Sequence, residues 1–329
     1  MIPANTGVLL ANLGSPAAPT TAAVRKFLKD FLWDPRVVNI QRPVWWLILH
    51  GAVLPFRPAK SAKAYRKVWD AEKGSPLTFL TRQLSEKTAG RLRGQGIEVA
   101  YAMRYGTPAI ATQLQQFKAL GLERIIVLPL YPQYSSTTTA SVYDDVVNEL
   151  KQWRHIPSLQ FISDYHRNAC YIAAVADSIK QAWREQGKNE LLMMSFHGLP
   201  ERLTAWGDPY FHQCHKTAAL IAEQLGLNGN EWIIVFQSRF GKAEWLKPYC
   251  VNTLKALPGQ GIKTVDMVCP GFAVDCLETL EEIAIENKAV FIAAGGADYR
   301  YIPALNDSDA HVDVVINVLG NLFRSLPEA

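Results

Sequence analysis

A histidine and a series of carboxylates stand just after two strand-like apolar runs of this sequence. His197 follows the run at 191–196, and Asp275, Glu278 and Glu282 come after a Pro-Gly turn that follows the run at 265–268. Neutral imidazole takes up a proton or binds a metal ion. Carboxylates at close spacing repel each other, which raises the pKa of one or more of them. These residue types predict a site that accepts protons near neutral pH, binds a divalent cation, or does both.

The spacing of the carboxylates fits one stripe of an α-helix that begins at Asp275. At about 100° per residue, the acidic side chains fall within about 80° of one another; they are Asp275, Glu278, Glu282 and Glu286. A charge stripe is ordinarily a solvated helix face, and a single histidine after a strand is ordinarily a structural residue. The functional interpretation is favoured because both segments follow strands, and open α/β sheets bind ligands at the carboxyl ends of their strands.

Short, continuous apolar runs alternate with longer amphipathic segments along the chain. Such runs are typical of parallel strands that are covered on both faces, and the alternation predicts an α/β fold with parallel sheets. The predicted strands lie at 8–11, 99–103, 125–130, 191–196, 233–236, 265–268 and 290–294. The predicted helices lie at 109–120, 140–153, 171–186 and 210–225.

The two halves of the chain repeat the same order of strand ends, which predicts two similar α/β lobes at 1–160 and 161–329. Gly14 and Gly106 follow two strands of the first half, and Gly198 and Gly241 follow two strands of the second. The first pair of glycines is 92 residues apart and the second pair is 43 apart, so the first lobe carries about 49 extra residues between matched strands.

The extra residues fall within 25–75, where aromatic side chains are interspersed with cations. The aromatic residues are Phe27, Phe31, Trp33, Trp45, Trp46, Phe56, Tyr65 and Trp69. Aromatic rings beside cations suit a large flat anionic ligand or a membrane surface. The alternative is that these rings pack additional helices onto the core.

Composition excludes several classes of protein. The net charge of +4 is small for 329 residues, and no cluster of nucleic-acid-binding type is present, so nucleic acid is not an expected partner. The five cysteines have no CxxC spacing, which argues against a disulfide scaffold or a structural zinc site. The N-terminal residues lack the pattern of a signal peptide, and the longest apolar stretch is too interrupted to span a bilayer. We therefore expect a cytoplasmic protein.

Four separated motifs resemble those of the ferrochelatase family, above all its proteobacterial protoporphyrin enzymes. They are LPLYPQYS at 128–135, SFHGLP at 195–200, FQSRFG at 236–241 followed by Trp245, and CPGFAVDCLETLEE at 269–282. The similarity runs from about residue 7 to about residue 304. It implies insertion of Fe(II) into protoporphyrin IX with release of two protons, in the last step of heme synthesis. It also implies two Rossmann-like lobes with the porphyrin in the cleft between them.

The resemblance also implies roles for individual residues. His197 and Glu278 match the active-site histidine and glutamate that are associated with metal delivery and proton removal, and Asp275 and Glu282 match the acidic path beside them. Further candidates contact the porphyrin: Leu13, Tyr65 and Ser75 by their match to family positions, Arg104 and Tyr105 at the end of a strand, and Trp245 within a shared motif.

The resemblance implies protoporphyrin IX and Fe(II) as substrates, with no tightly bound cofactor. Some members carry a C-terminal cysteine-rich [2Fe-2S] extension; here no cysteine follows Cys276, and we expect no such cluster. Contact of the segment 45–56 with the inner face of a membrane is a hypothesis. The alternatives are a chelatase for another metal or tetrapyrrole, and a non-catalytic carrier. A carrier leaves the carboxylate row unexplained, because it needs strong ligands and no path for protons.

Overall fold

The computed structural model describes residues 4–324 apart from Phe240 and Lys242. These residues form two compact units. The first contains residues 4–131, 135–164 and 315–324, and the second contains 132–134 and the described part of 165–314. Each unit has its own four-stranded sheet, in which every strand runs parallel to its neighbours.

The first unit is built on strands β1 to β4 in the spatial order β2-β1-β3-β4. The strands are β1 Thr6–Asn12, β2 Ile97–Met103, β3 Arg124–Pro129 and β4 Ser158–Phe161. The helices are α1 Thr21–Trp33, α2 Arg42–Ile48, a π-helical turn Leu49–Val53, α3 Leu54–Val68, α4 Pro76–Arg91, α5 Ile110–Ala119 and α6 Thr139–Leu150. Every residue of β1 is buried, because this central strand is covered on both faces.

The second unit repeats the arrangement with the order β6-β5-β7-β8. Its strands are β5 Leu191–His197, β6 Trp232–Gln237, β7 Thr264–Val268 and β8 Asp298–Tyr301. Its helices are α7 Ala169–Gln186, α8 Arg202–Ala205, α9 Tyr210–Leu225, α10 Cys250–Ala256, a 3₁₀ turn Leu257–Gln260, a π helix Glu278–Asn287 and α11 Lys288–Ala293. The last helix, α12, is Asp309–Arg324. The identical strand order confirms the predicted pair of similar α/β lobes.

Local sequence explains where two of these helices, α1 and α7, begin. Thr20 precedes α1 and its hydroxyl accepts a hydrogen bond from the backbone N–H of Ala23 at 3.3 Å. Asn168 precedes α7 and accepts from Tyr171 N at 3.1 Å. Such N-caps satisfy backbone donors that have no partner within the helix.

The additional residues of the first unit form helices. Four helices, α1 to α4, separate β1 from β2, whereas only α8 and α9 separate β5 from β6. The predicted insertion is therefore helical.

One predicted strand is wrong. The run 290–294 lies mostly in α11, and the last strand of the second sheet is instead β8, at Asp298–Tyr301. Phe291 is fully buried, whereas Ile292 next to it is 42% exposed. The run thus buries one face of a helix. A short apolar run in a sequence is compatible both with such a helix and with a strand that is covered on both faces.

Candidate active site

His197 is the last residue of β5, opposite Gln237 of the parallel strand β6. The next residue is held close to β6, because Gly198 N donates to Gln237 O at 2.7 Å. A Cβ atom on Gly198 would lie 2.6 Å from the same oxygen, so only glycine fits there. The turn therefore fixes the half-buried imidazole at the carboxyl end of the sheet.

One hydrogen bond sets the tautomer of His197. Its Nδ1 lies 2.7 Å from the carbonyl oxygen of Gly198. A carbonyl oxygen only accepts, so Nδ1 carries the proton in the neutral ring. The lone pair of Nε2 then remains for a proton or a metal ion.

The predicted carboxylate helix is a π helix that starts later than expected. It spans Glu278–Asn287, with Glu278 as its first residue, and Asp275 lies before it. Glu278 and Glu282 are half-buried, whereas Glu286 is exposed. The wider turn of a π helix replaces the predicted 100° spacing, and such turns occur frequently at functional sites.

Glu282 is held by Ser238, the residue that follows β6. The backbone N–H of Ser238 donates to Glu282 Oε1 at 2.8 Å, and its hydroxyl donates to Oε2. The pKa of Glu282 is nevertheless raised. Burial is the main cause; the Ser238 hydrogen bonds and His197 act against it, and Glu278 adds to it. A carboxyl group with a raised pKa, close to a histidine and a second carboxylate, suits proton exchange.

Asp275 is held by hydrogen bonds from three side chains. Its Oδ1 accepts from Tyr301 OH at 2.5 Å and from Thr279 Oγ1 at 2.8 Å. Its Oδ2 accepts from Asn306 Nδ2 at 2.8 Å, and the side chain is buried. These donors fix the carboxylate where the chain enters the π helix, and the role of Asp275 in an acidic path stays a prediction.

The first unit brings several predicted porphyrin-binding residues to the carboxyl end of its sheet. Arg104 N donates to Asn12 O and Tyr105 N to Leu13 O, both at 2.8 Å. These backbone bonds join the residues that follow β1 and β2. Ser75, at the start of α4, lies 2.5 Å from Ser15, measured between the two hydroxyl oxygens. Four of the predicted residues, Leu13, Ser75, Arg104 and Tyr105, are thus held by contacts at this edge.

Arg104 and Tyr105 are engaged by a buried carboxylate. Asp34 Oδ2 accepts from Arg104 Nη2 at 2.8 Å, from Tyr105 OH at 2.7 Å and from Ser141 Oγ at 2.6 Å. Burial opposes ionisation of Asp34, but the bonds from Ser141 and Tyr105 and the charge of Arg104 help to lower its pKa. Asp34 therefore holds both side chains in place as an anion.

The two remaining candidates lie elsewhere. Tyr65 is buried on α3, with its ring edge-on to Trp69. Trp245 belongs to the second unit, where it forms an isolated bridge with Pro200, and a ring carbon of Trp245 would lie 3.4 Å from a Cβ on Gly198. Trp245 is thus placed beside the turn that carries His197.

Gln237 and Ser238 were missed as functional residues. Both belong to the motif at 236–241, but neither has a side chain that suggests chemistry by itself. Gln237 Nε2 donates to the carbonyl oxygen of Glu278 at 3.1 Å, and Ser238 holds Glu282. The signal in the sequence was their position at the end of a strand parallel to the one that carries His197.

The arrangement of the second unit suits transfer of protons and of a cation. The end of one strand joins an imidazole lone pair, a half-buried carboxylate and a carboxyl group with a raised pKa.

Within the described residues, no group of three histidine, cysteine or acidic side chains is placed to hold a metal ion. All five cysteines are free thiols, and in the described part of the chain no helix is long and apolar enough to cross a membrane.

Solved structures define the class of this fold. The sirohydrochlorin chelatase SirB from Bacillus subtilis subspecies spizizenii, in complex with cobalt, matches with a TM-score of 0.56 at 10% identity and covers 96% of this chain and 94% of that chain. SirB from Bacillus subtilis with Fe3+ matches with a TM-score of 0.53 at 12% identity and covers 97% of this chain and 98% of that chain. At these identities the likeness concerns the fold alone, which is that of the α/β chelatases.

Sequence comparison identifies the family. The family model described as Ferrochelatase matches residues 5–321. The Ferrochelatase of Methylococcus capsulatus is 56% identical over 316 residues, which is 96% of each chain. The Ferrochelatase of Nitrosococcus oceani is 51% identical, over 99% of this chain and 89% of its own, and Ferrochelatase 2 of Shewanella oneidensis is 51% identical over 95% and 96%.

The chain therefore belongs to the ferrochelatase family, as its motifs predicted. It is an enzyme of heme synthesis, a lyase that inserts Fe(II) into a porphyrin. Iron is thus a substrate of the reaction.

Proposed function

We propose that His197 and Glu278 carry out metal insertion into protoporphyrin IX in this enzyme. The observation that supports this most directly is the His197 tautomer, which leaves Nε2 without a proton. His197 lies on β5, and the neighbouring strand β6 is hydrogen-bonded to Glu278. One Fe(II) replaces the two N–H protons at the centre of the porphyrin, so the enzyme must remove two protons for each metal ion.

The proton acceptors follow from the local chemistry. Nε2 of neutral His197 takes a proton from a pyrrole nitrogen, and the carboxylate of Glu278 takes part in removing the second. Glu282 passes protons onward, because its raised pKa lets it bind and release them closer to neutral pH than an ordinary glutamate. Asp275 belongs to the same acidic path in this proposal, and the hydrogen bonds from Tyr301 and Asn306 hold it at the start of the π helix.

The same pair holds iron in a separate step, because the one free lone pair of His197 Nε2 binds either a proton or the metal ion. Imidazole nitrogen and carboxylate oxygen are both ligands of Fe(II). Two such ligands bind the ion more weakly than a complete tetrahedral or octahedral set, and weak binding suits an ion that must be passed on to the porphyrin.

The porphyrin is proposed to contact Leu13, Tyr65, Ser75, Arg104, Tyr105 and Trp245. A planar porphyrin must bend before a metal ion reaches its centre, and binding energy from the ring periphery can supply the distortion. We further propose that these 329 residues hold no [2Fe-2S] cluster.

A membrane surface is proposed as a further partner, and with it a location at the inner face of the membrane. The segment from α2 to α3 exposes a group of apolar side chains: Val44 at 48%, Trp46 at 51%, Leu47 at 65%, Ile48 at 41% and Phe56 at 76%. Beside it, α3 contains five lysine and arginine residues and no acidic residue. Apolar side chains next to cations fit a bilayer that contains anionic lipids. Trp45 is excluded from this surface, because it is buried and donates to Leu32 O.

The roles of His197 and Glu278 are tested by anaerobic conversion of protoporphyrin IX with Fe(II). We expect His197→Ala and Glu278→Gln each to lower kcat by about 100-fold or more, the usual contribution of a general acid or base, while porphyrin still binds. His212→Ala and Glu223→Gln are matched controls, because both are exposed residues of α9 in the same unit. A wild type that binds porphyrin without turnover would favour a carrier. Retention of activity by both site variants would remove these residues from the chemistry.

A further inference from the structure

Gln237 connects the two sides of the candidate site through a single buried residue. It is 2% exposed at the end of β6. Its backbone pairs with His197, and its carbonyl oxygen accepts from Gly198 N at 2.7 Å. The main chain of Gln237 therefore fixes the turn that carries the histidine.

The side chain of Gln237 reaches the opposite element. Its Nε2 donates to Glu278 O at 3.1 Å, and its Oε1 accepts from Ser195 Oγ at 2.7 Å. The carbonyl of Glu278 cannot donate, so the nitrogen end of the carboxamide must face the π helix. Ser195 lies on β5, two residues before His197, and holds the other end of the carboxamide.

We propose that Gln237 is a positioning residue that sets the place of Glu278 relative to His197. The inference rests on the proposed roles of these two residues. Glu278 is the first residue of the π helix, so its position depends on how that end is anchored. The side chain of Gln237, on β6, donates to the carbonyl oxygen of Glu278. This bond anchors the start of the π helix to β6, the strand that pairs with β5. Reaction rates depend steeply on such placement, and an error of about 1 Å can cost about 100-fold.

A second buried donor on the same helix separates this role from general stabilisation. Tyr299, also 2% exposed, donates its hydroxyl to Ile283 O at 2.7 Å. Both bonds run from a strand to a carbonyl of the π helix, and loss of either leaves a buried carbonyl with fewer partners. Of these two bonds, only the one from Gln237 reaches Glu278. Only the loss of that bond should therefore displace the carboxylate of Glu278.

The test compares Gln237→Met, which keeps the approximate volume and loses the bonds to Glu278 and Ser195, with Tyr299→Phe. We expect Gln237→Met to lower kcat about 10-fold to 100-fold, the typical effect of an outer-sphere partner, with an unchanged KM for protoporphyrin. Tyr299→Phe should lose a similar amount of thermal stability and keep its kcat. Equal losses of kcat in the two variants, or a kcat of Gln237→Met within about twofold of wild type, would overturn the inference.

Gln237→Glu keeps the test decisive if the methionine variant does not fold. In its protonated form the introduced carboxyl group can donate to Glu278 O and accept from Ser195, whereas its ionised form repels the carbonyl oxygen. We expect a new pH dependence in which kcat falls as pH rises and recovers when pH is lowered. A profile that matches wild type would contradict the inference. If His197→Ala and Glu278→Gln are inactive while both Gln237 variants are unaffected, the proposed function stands and only this inference fails.

Discussion

At the scale of single residues, Ser238 shows how backbone conformation serves the site. Its φ of 65° lies in the left-handed region, which residues other than glycine adopt rarely and at a cost of about 1–3 kcal/mol. In this conformation both its N–H and its hydroxyl reach the carboxylate of Glu282. Strain of this kind persists where the surrounding structure enforces it, often at functional sites.

Removal of the Ser238 hydroxyl should shift the pH dependence of the enzyme. The hydroxyl donates to the ionised form of Glu282, so Ser238→Ala raises the pKa of that carboxyl group further. A higher pH is then needed to ionise it, and the acid limb of the kcat/KM profile should move to higher pH. Ser163→Ala, which removes the hydroxyl of an exposed serine that donates to Asp164, is the control. An acid limb that does not move would show that Glu282 takes no part in the titration.

His197 and Glu278 could be named from the sequence because their side chains have chemistry of their own. Gln237 and Ser238 could not be assigned roles in this way, because an amide and a hydroxyl occur throughout proteins. Their importance depends on which groups they contact in the folded chain. The type and spacing of Asp275 suggested a proton path, but they gave no sign of the donors that hold its carboxylate, which are Tyr301, Thr279 and Asn306.

At the scale of elements, helix α2, the π-helical turn Leu49–Val53 and the start of α3 form the exposed apolar surface. The sequence indicated this segment but not which of its rings are exposed. Trp45 is buried, whereas Trp46 remains half exposed and stacks on His50 with 4.8 Å between the ring centroids. Adjacent residues on a helix point in directions about 100° apart, so two neighbouring tryptophans cannot share one environment.

Removal of the exposed rings should weaken binding to anionic vesicles. We expect wild type to float with phosphatidylglycerol-containing liposomes, and Trp46→Ser/Phe56→Ser to float much less, because burial of large side chains drives interfacial binding. Leu120→Ser/Ile156→Ser is the matched control, since these residues of the same unit are 60% and 55% exposed outside the segment. Binding should also weaken at high salt. Wild type that stays unbound at low salt would end the proposal of a membrane partner.

The π helix is the element that sequence periodicity described least well. Acidic residues at 278, 282 and 286 are compatible with either an α-helix or a π helix over such a short stretch. The choice between them depends on contacts with distant residues, such as the bonds of Gln237 to Glu278 and of Tyr299 to Ile283. Local propensity contains no information on those partners.

At the scale of the whole molecule, hydrogen bonds connect the buried His311 of α12, through the half-buried Asn306, to the buried Asp275 that precedes the π helix. His311 is 1% exposed, and its Nδ1 donates to Asn306 O at 2.5 Å. Asn306 in turn accepts from Asp275 N and donates to Asp275 Oδ2, both at 2.8 Å. Burial lowers the pKa of His311 from 6.5 to about 4. The folded protein therefore favours the neutral form of His311.

His311 should make the fold sensitive to mild acid. Its folded pKa lies below its unfolded value, so its contribution is complete above about pH 6.5 and is lost as pH falls towards 4. Between pH 7 and pH 4 wild type should lose about 3 kcal/mol of unfolding free energy that His311→Gln does not lose. Urea unfolding at the two pH values measures this difference, with His212→Gln as an exposed control. The same loss in wild type and His311→Gln would assign the acid sensitivity to other groups.

The sequence by itself determined the two parallel α/β lobes, the presence of an insertion in the first, and the residue types that can move protons and bind iron. These follow from patterns of a few residues, because burial on both faces of a strand and the chemistry of a side chain are local properties. Only the tertiary structure decided that 290–294 is largely helical, that the carboxylates stand on a π helix, and that Gln237 joins His197 to Glu278. Each of these depends on contacts between residues far apart in the chain, and such contacts leave no periodic signal in the sequence.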